Sequence, residues 1–151
     1  MTDRLETLED WAAGLLGQLE PASRAKLARS VGQALRRSQQ QRIIAQQNPD
    51  GAKYAPRKER TLRGKLGRVK RRVKMFQKLR TASFLKMQRN GDNISVGYIG
   101  RIARIARVHQ YGLSDRATRD APRVRYEQRE ILGFTSSDLE LIRDQILSHF
   151  T

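Results

Sequence analysis

The sequence predicts an α+β fold: a small antiparallel sheet covered by helices, with a long N-terminal helix and an extended basic arm. Three observations predict it. Apolar residues recur at three- and four-residue steps near both ends. An Asn-Gly pair stands between two short apolar runs in the second half. A run dense in Lys and Arg, poor in apolar residues, separates the helical start from the rest.

Taken in order, Leu5, Leu8, Trp11, Ala12, Leu15 and Leu19 form one apolar stripe of a first helix, which Pro21 ends. Pro21 can also open a second helix as a first-turn proline. From Ser23 to Gln47 the chain is rich in Ala, Leu, Arg and Gln, with Leu27, Val31, Ala34 and Leu35 on one side. This predicts a long, largely solvated helix, stopped by the turn signal Asn48-Pro49-Asp50-Gly51.

Residues 57–80 carry twelve bases and one acid, Glu59, with isolated Gly64 and Gly67. Such a stretch cannot bury enough apolar surface to order itself, so a basic arm is expected that orders against a partner. Met75, Phe76 and Leu79 read as a short helical turn that anchors its end.

Ala82–Arg89 and Ile94–Ile99 flank Asn90-Gly91-Asp92-Asn93, which predicts a hairpin. Arg101–His109 reads as a helix, with Ile102, Ile105, Ala106 and Val108 buried and Arg101, Arg104 and Arg107 wet. Tyr111-Gly112 ends it, Gly112 serving as a left-handed cap. Residues 113–122 read as loop and Arg123–Glu130 as extended, with Val124 and Tyr126 on one face. Ser137 with Glu140 forms a capping box for a last helix that buries Leu139, Ile142, Ile146 and Phe150.

The 151 residues suit a single domain, with a helical part over 1–47, the basic loop or arm over 48–80 and an α+β core over 81–151. The net charge is +16, but it is unevenly spread. Residues 1–20 are net −4 and residues 130–151 net −3, which leaves +23 for the middle. Acidic ends and a basic middle can pair within one chain or between copies. The acidic start lacks the basic-then-apolar pattern of a secretory signal, and no apolar run is long enough to span a membrane, so a soluble protein made in the cytoplasm is expected.

No cysteine is present, which excludes disulfides and Cys-based zinc sites. No G-x-S-x-G or Walker-type motif occurs, and His109 and His149 have no spaced partners for a triad or a metal set. The sequence therefore offers no catalytic, cofactor or metal residues, and an enzyme is not expected. The G-x-x-G at Gly64–Gly67 lacks the helical flanks that let such a loop clamp nucleic acid.

Two sets of residues remain as candidate contacts. The first is the basic arm: Arg57, Lys58, Arg60, Arg63, Lys65, Arg68, Lys70, Arg71, Arg72 and Lys74. It fits acidic protein surfaces, or phosphates in the alternative reading of a basic nucleic-acid-binding protein. With Phe76 its one aromatic, base stacking is not its mode, and the protein partner is favoured over DNA. The second set is Trp11, read as a core or subunit-contact anchor, and the stretch Val108, His109, Gln110, Tyr111 and Gly112. At a helix C-terminus, a protonated His109 is expected to be favoured by the dipole.

Four stretches then carry a resemblance: Leu35–Arg42 running on to Ala45-Gln46, Pro49-Asp50-Gly51 and Tyr54-Ala55-Pro56-Arg57; Gly67–Arg71 with Met75-Phe76 and Lys78-Leu79; Ile105–Leu113; and Leu132–Thr135. In these the chain resembles the tail completion proteins of contractile-tailed phages, the virion morphogenesis family. The family's proline-punctuated segment before Leu-Gly is replaced here by Tyr126-Glu127-Gln128-Arg129-Glu130, which implies a more regular local path. The resemblance implies a structural part of the virion, assembled in the host cytoplasm, at the head-proximal end of the tail. It implies a ring of six copies that meets tail tube, sheath or neck proteins and enables head–tail joining, with no cofactor and no membrane. It also maps the family's Val-His-Gln-aromatic-Gly stretch onto Val108–Gly112 as a contact or its support.

Overall fold

The structure, a computed structural model, describes residues 2–57, 74–91 and 93–150. It is α+β: helices α1 (Thr2–Leu16), α2 (Pro21–Ile44), α3 (Gly100–Tyr111) and α4 (Ser136–Ser148), a hairpin of β1 (Lys86–Asn90) and β2 (Asn93–Gly97), and a short pair of β3 (Ser114–Asp115) and β4 (Val124–Arg125). The two antiparallel pairs are separate two-stranded sheets.

α2 is the axis on which the rest is hung. It is 24 residues long, about 36 Å at 1.5 Å per residue. Near its start Leu27 packs with Ala12 of α1 and Ile146 of α4. At its far end Ile43, fully buried, packs with Leu79, Ala106 of α3 and Ile131, and Phe76, Tyr98 and Ile102 close over them. Between the two clusters the hairpin lies on α2. A Cβ on Gly32 would meet Met87 Sδ at 2.6 Å and Ile94 Cδ1 at 2.7 Å, so the missing side chain is what lets β1 and β2 approach.

Several elements differ from expectation. α2 is buried along one side rather than largely solvated, and that side includes Gln39 and Arg42 as well as Leu27, Gly32 and Ile43. The first hairpin strand starts at Lys86. The preceding residues form turns, with Phe84 and Leu85 amides donating to Thr81 O, and Arg36 Nε donates to Leu85 O at 3.0 Å. Met87 faces Val96 and Arg89 faces Ile94 across the hairpin, and Asn90 faces Asn93.

α3 runs to Tyr111, and Gly112 caps it with φ 62. Ile105 is not on the buried side; it is 46% exposed, because the stripe that meets the core is Ile102, Ala106 and Gln110. Of the extended stretch expected over 123–130, only Val124 and Arg125 form a strand; the Tyr126 and Arg129 amides donate to Leu113 O and His109 O, and the Glu130 amide is taken by a side chain.

The α4 box is set two residues earlier than Ser137 and Glu140. Thr135 Oγ1 accepts from Asp138 N at 3.0 Å, and Asp138 Oδ2 accepts from Thr135 N at 2.9 Å. An N-cap must be extended, and Thr135 (φ −91, ψ 167) is the last residue that is. Phe150, expected in the core, is 39% exposed.

Most of the basic arm, residues 58–73, lies outside the described residues. Arg57 and Lys74, at its two sides, are exposed.

Candidate functional site

Among the described residues, the most densely bonded part is residues 129–133, an irregular stretch between β4 and α4 that three elements grip by side chain. Irregular backbone placed inside a protein needs a partner for every N–H and C=O. Here those partners are supplied one by one.

From α3, Gln110 Oε1 accepts from the amides of Ile131 (2.8 Å) and Leu132 (2.9 Å), and its Nε2 donates to Leu132 O at 2.7 Å. One carboxamide thus acts as a short piece of strand edge. From α2, Arg42 donates through Nη1 to Glu130 O (3.0 Å) and through Nη2 to Ile131 O (2.9 Å) and to Gln39 Oε1. Gln39 Oε1 in turn accepts from Gly133 N at 3.1 Å. From the turn after α2, Asn48 Oδ1 accepts from Glu130 N at 2.8 Å, and Tyr54 Oη donates to Glu130 O at 2.9 Å. Arg129 reaches the other way, donating to Ala55 O at 2.7 Å and Pro56 O at 3.0 Å.

Arg42 is 8% exposed and is met chiefly by carbonyl oxygens and an amide. Burial lowers its pKa, while Tyr54, Asp138 and Glu130 push the other way. A guanidinium stays charged regardless. Buried Asp138 is the nearby full counter-charge that α4 supplies, and it also accepts from Ser38 Oγ. Desolvation pushes the Tyr54 hydroxyl up to about 12, so it stays a neutral donor.

Beneath the stretch runs an aromatic file. Tyr54 and Phe76 meet edge-on at 5.6 Å, Phe76 and His109 at 4.9 Å, and His109 and Tyr126 at 5.1 Å. Phe76 adopts a left-handed backbone, φ 65, which costs a non-glycine residue on the order of 1 kcal/mol. The rings on either side hold it there. Burial, and then the charge of Arg129, lower the His109 pKa. The expected dipole-favoured imidazolium is therefore overridden, and the ring is held towards neutrality between two aromatics.

The sequence-predicted contact stretch is thus split. Val108 is buried, His109 and Gln110 face the 126–132 segment, Gly112 is buried as the cap, and Tyr111 points out with 62% of its surface exposed. Trp11 stands apart, 37% exposed, in an open cleft of about 480 Å³ between α1 and α4 with Leu8, Leu139 and Arg143. Among the described residues, no group of three His, Asp or Glu side chains is placed to hold a metal ion. No described helix is long and apolar enough to cross a membrane.

Hydropathy does not single out Gln39, Arg42 and Arg129, which the structure places at the centre. Yet Gln39 continues the row Leu27, Val31, Leu35 at four-residue steps, and Gln110 continues Ile102, Ala106. A polar residue standing in line with an apolar row is the signal that marks them.

No solved structure matches. Tail completion protein S of Escherichia phage P2 is 41% identical over 148 residues, covering 97% of each chain. The profile of the phage virion morphogenesis family matches residues 3–151, so the chain belongs to the phage virion morphogenesis family.

Proposed function

We propose that this protein is a structural tail completion protein of a contractile-tailed phage, which assembles as a ring at the head-proximal end of the tail and enables head–tail joining. One observation carries the reading: the likeness to tail completion protein S of Escherichia phage P2 runs over nearly the whole of both chains. The architecture suits it. The polar groups of the central stretch are spent on holding the fold, and what the surface offers is charge and a few exposed apolar side chains, the materials of protein contacts. In this reading the partners are other copies and tail tube, sheath or neck proteins, and the basic stretch 57–80 meets acidic surfaces of those neighbours.

The test is imaging of particles from a phage or prophage that lacks this gene, with purified protein added back. Tails of abnormal length or without heads, rescued by the protein, support the role. Normal head-joined particles in the deletion overturn it. Neutralising Arg68, Lys70, Arg71 and Arg72 together tests the stretch itself: complete, infectious particles would remove it from assembly.

A further inference from the structure

The chain has two oppositely charged helical faces that make no ion pair with each other among the described residues. On α1, Asp3, Glu6 and Glu9 are exposed and follow one another at every third residue, the row running up to buried Ala12. The base among them, Arg4, is turned aside and donates to Ser136 Oγ at 2.7 Å. On α3, Arg101, Arg104 and Arg107 are exposed at the same spacing. Each row therefore advances about 4.5 Å per step over three residues.

α1 packs on α2 at Leu27 through Ala12, its first turn lies by the start of α4, where Arg4 meets Ser136, and α3 packs on α2 at Ile43. Among the described residues, no ion pair joins an acid of α1 to a base of α3. Nor does one join α1 to Arg24, Lys26 or Arg29 on the near end of α2. Arg104 is shared with Asp115 at 2.7 Å, which leaves most of its five donors available.

We propose that the Arg101–Arg104–Arg107 face of α3 binds the Asp3–Glu6–Glu9 face of α1 in a second copy of this chain. Two different patches then meet at each contact, a head-to-tail arrangement that closes into a ring when its rotation allows. This rests on the self-assembling reading above and names its contact. Rows of every-third-residue side chains align when the helices cross steeply, so α1 and the neighbour's α3 cross near a right angle. Apolar side chains stand beside the α3 row: Ile105 (46% exposed) and Tyr111. Pairing of the poles also relieves the self-repulsion of a +16 chain.

The experiment is sedimentation of the full chain at low salt, with two variants. One carries Asp3→Lys, Glu6→Lys and Glu9→Lys; the other carries Arg101→Glu, Arg104→Glu and Arg107→Glu. All six positions are exposed, so both variants are expected to fold, which circular dichroism checks. Each alone should lose self-association by about a hundredfold or more, since like charges then face each other. An equal mixture should regain it, because every contact in an alternating ring is again between opposite charges. As a second readout, the chain has no cysteine, so Glu6→Cys with Arg104→Cys can be joined by a bifunctional maleimide. These are the central residues of the two rows and face each other whichever way the rows run. A ladder of linked copies supports the contact.

Variants that assemble as the unaltered chain does overturn the contact while leaving self-assembly standing. An unaltered chain that stays monomeric overturns the contact and the ring together, leaving tail completion to the add-back test. If the Arg variant instead loses duplex DNA and its assembly is unchanged, the α3 face belongs to nucleic acid and the proposal fails.

Discussion

The ring of Pro49 fills the space in which a side chain on Gly133 would begin. The turn after α2 and the entry to α4 are thereby pressed together, at the point where Gln39 also holds the Gly133 amide. Both residues were legible as turn or motif positions, but only the fold brings them into contact. Gly133→Ala has to displace a rigid ring that the flanking bonds to Asn48 and Gln39 keep in place. Overpacking of this kind costs about 1–3 kcal/mol. Urea unfolding should show the midpoint shifted down with its slope unchanged; an unchanged midpoint would mean that the turn moves freely.

Gln110 holds two amides and a carbonyl with one side chain. Gln110→Ala leaves the Ile131 and Leu132 amides without an acceptor, next to a fully buried Ile131 side chain. Each lost partner at a buried group costs about 1–3 kcal/mol, so a loss of about 2–4 kcal/mol is expected. Hydrogen exchange gives the local readout. The amides of residues 131 and 132 should lose protection more than those of α4, and a uniform loss would argue against a local clamp.

His109 sets a pH dependence whose sign follows from its surroundings. Burial and Arg129 lower its pKa in the folded chain below the unfolded value of about 6.5. Above that value both states are neutral and the fold has its full stability. As pH falls through it the unfolded chain takes up a proton that the folded one resists, so stability is lost. Thermal unfolding should give a lower midpoint near pH 5.5 than near pH 7.5, before most carboxylates titrate. His109→Gln should lack most of that difference. An equal slope in the variant would assign it to another group.

The sequence reading went furthest where local chemistry decides structure. The Asn-Gly hairpin, the proline that opens α2 and the glycine that caps α3 all act within a few residues, and all three formed. It went wrong where distant partners decide. Ser137-x-x-Glu140 has the residues of a capping box, yet Thr135 and Asp138 make it, because the cap falls where the chain from the central stretch turns into α4. Hydropathy alone places Ile105 in the core, whereas it is half exposed and the half-buried, polar Gln110 faces the central stretch. The clamp was half visible: the four stretches that carried the resemblance supply Gln39, Arg42, Pro49, Tyr54, Phe76, Gln110 and Gly133. That they surround one piece of backbone is long-range information that no window of sequence holds.

Trp11 is the sole tryptophan, and it reports on the surface where α1 meets α4. At 37% exposure it is only partly committed to the core. Trp11→Ala should therefore cost about 1–2 kcal/mol, less than the 3–5 kcal/mol of a fully buried ring. If the cleft it shares with Leu8 and Leu139 is covered on assembly, its emission should shift to the blue as copies or tail partners bind, and Trp11→Ala should weaken binding more than stability. The comparison needs only fluorescence of the full chain over a concentration series, beside a thermal melt of the variant. An emission maximum that stays fixed while copies associate would place Trp11 outside the contact and leave it as a peripheral part of the α1–α4 packing.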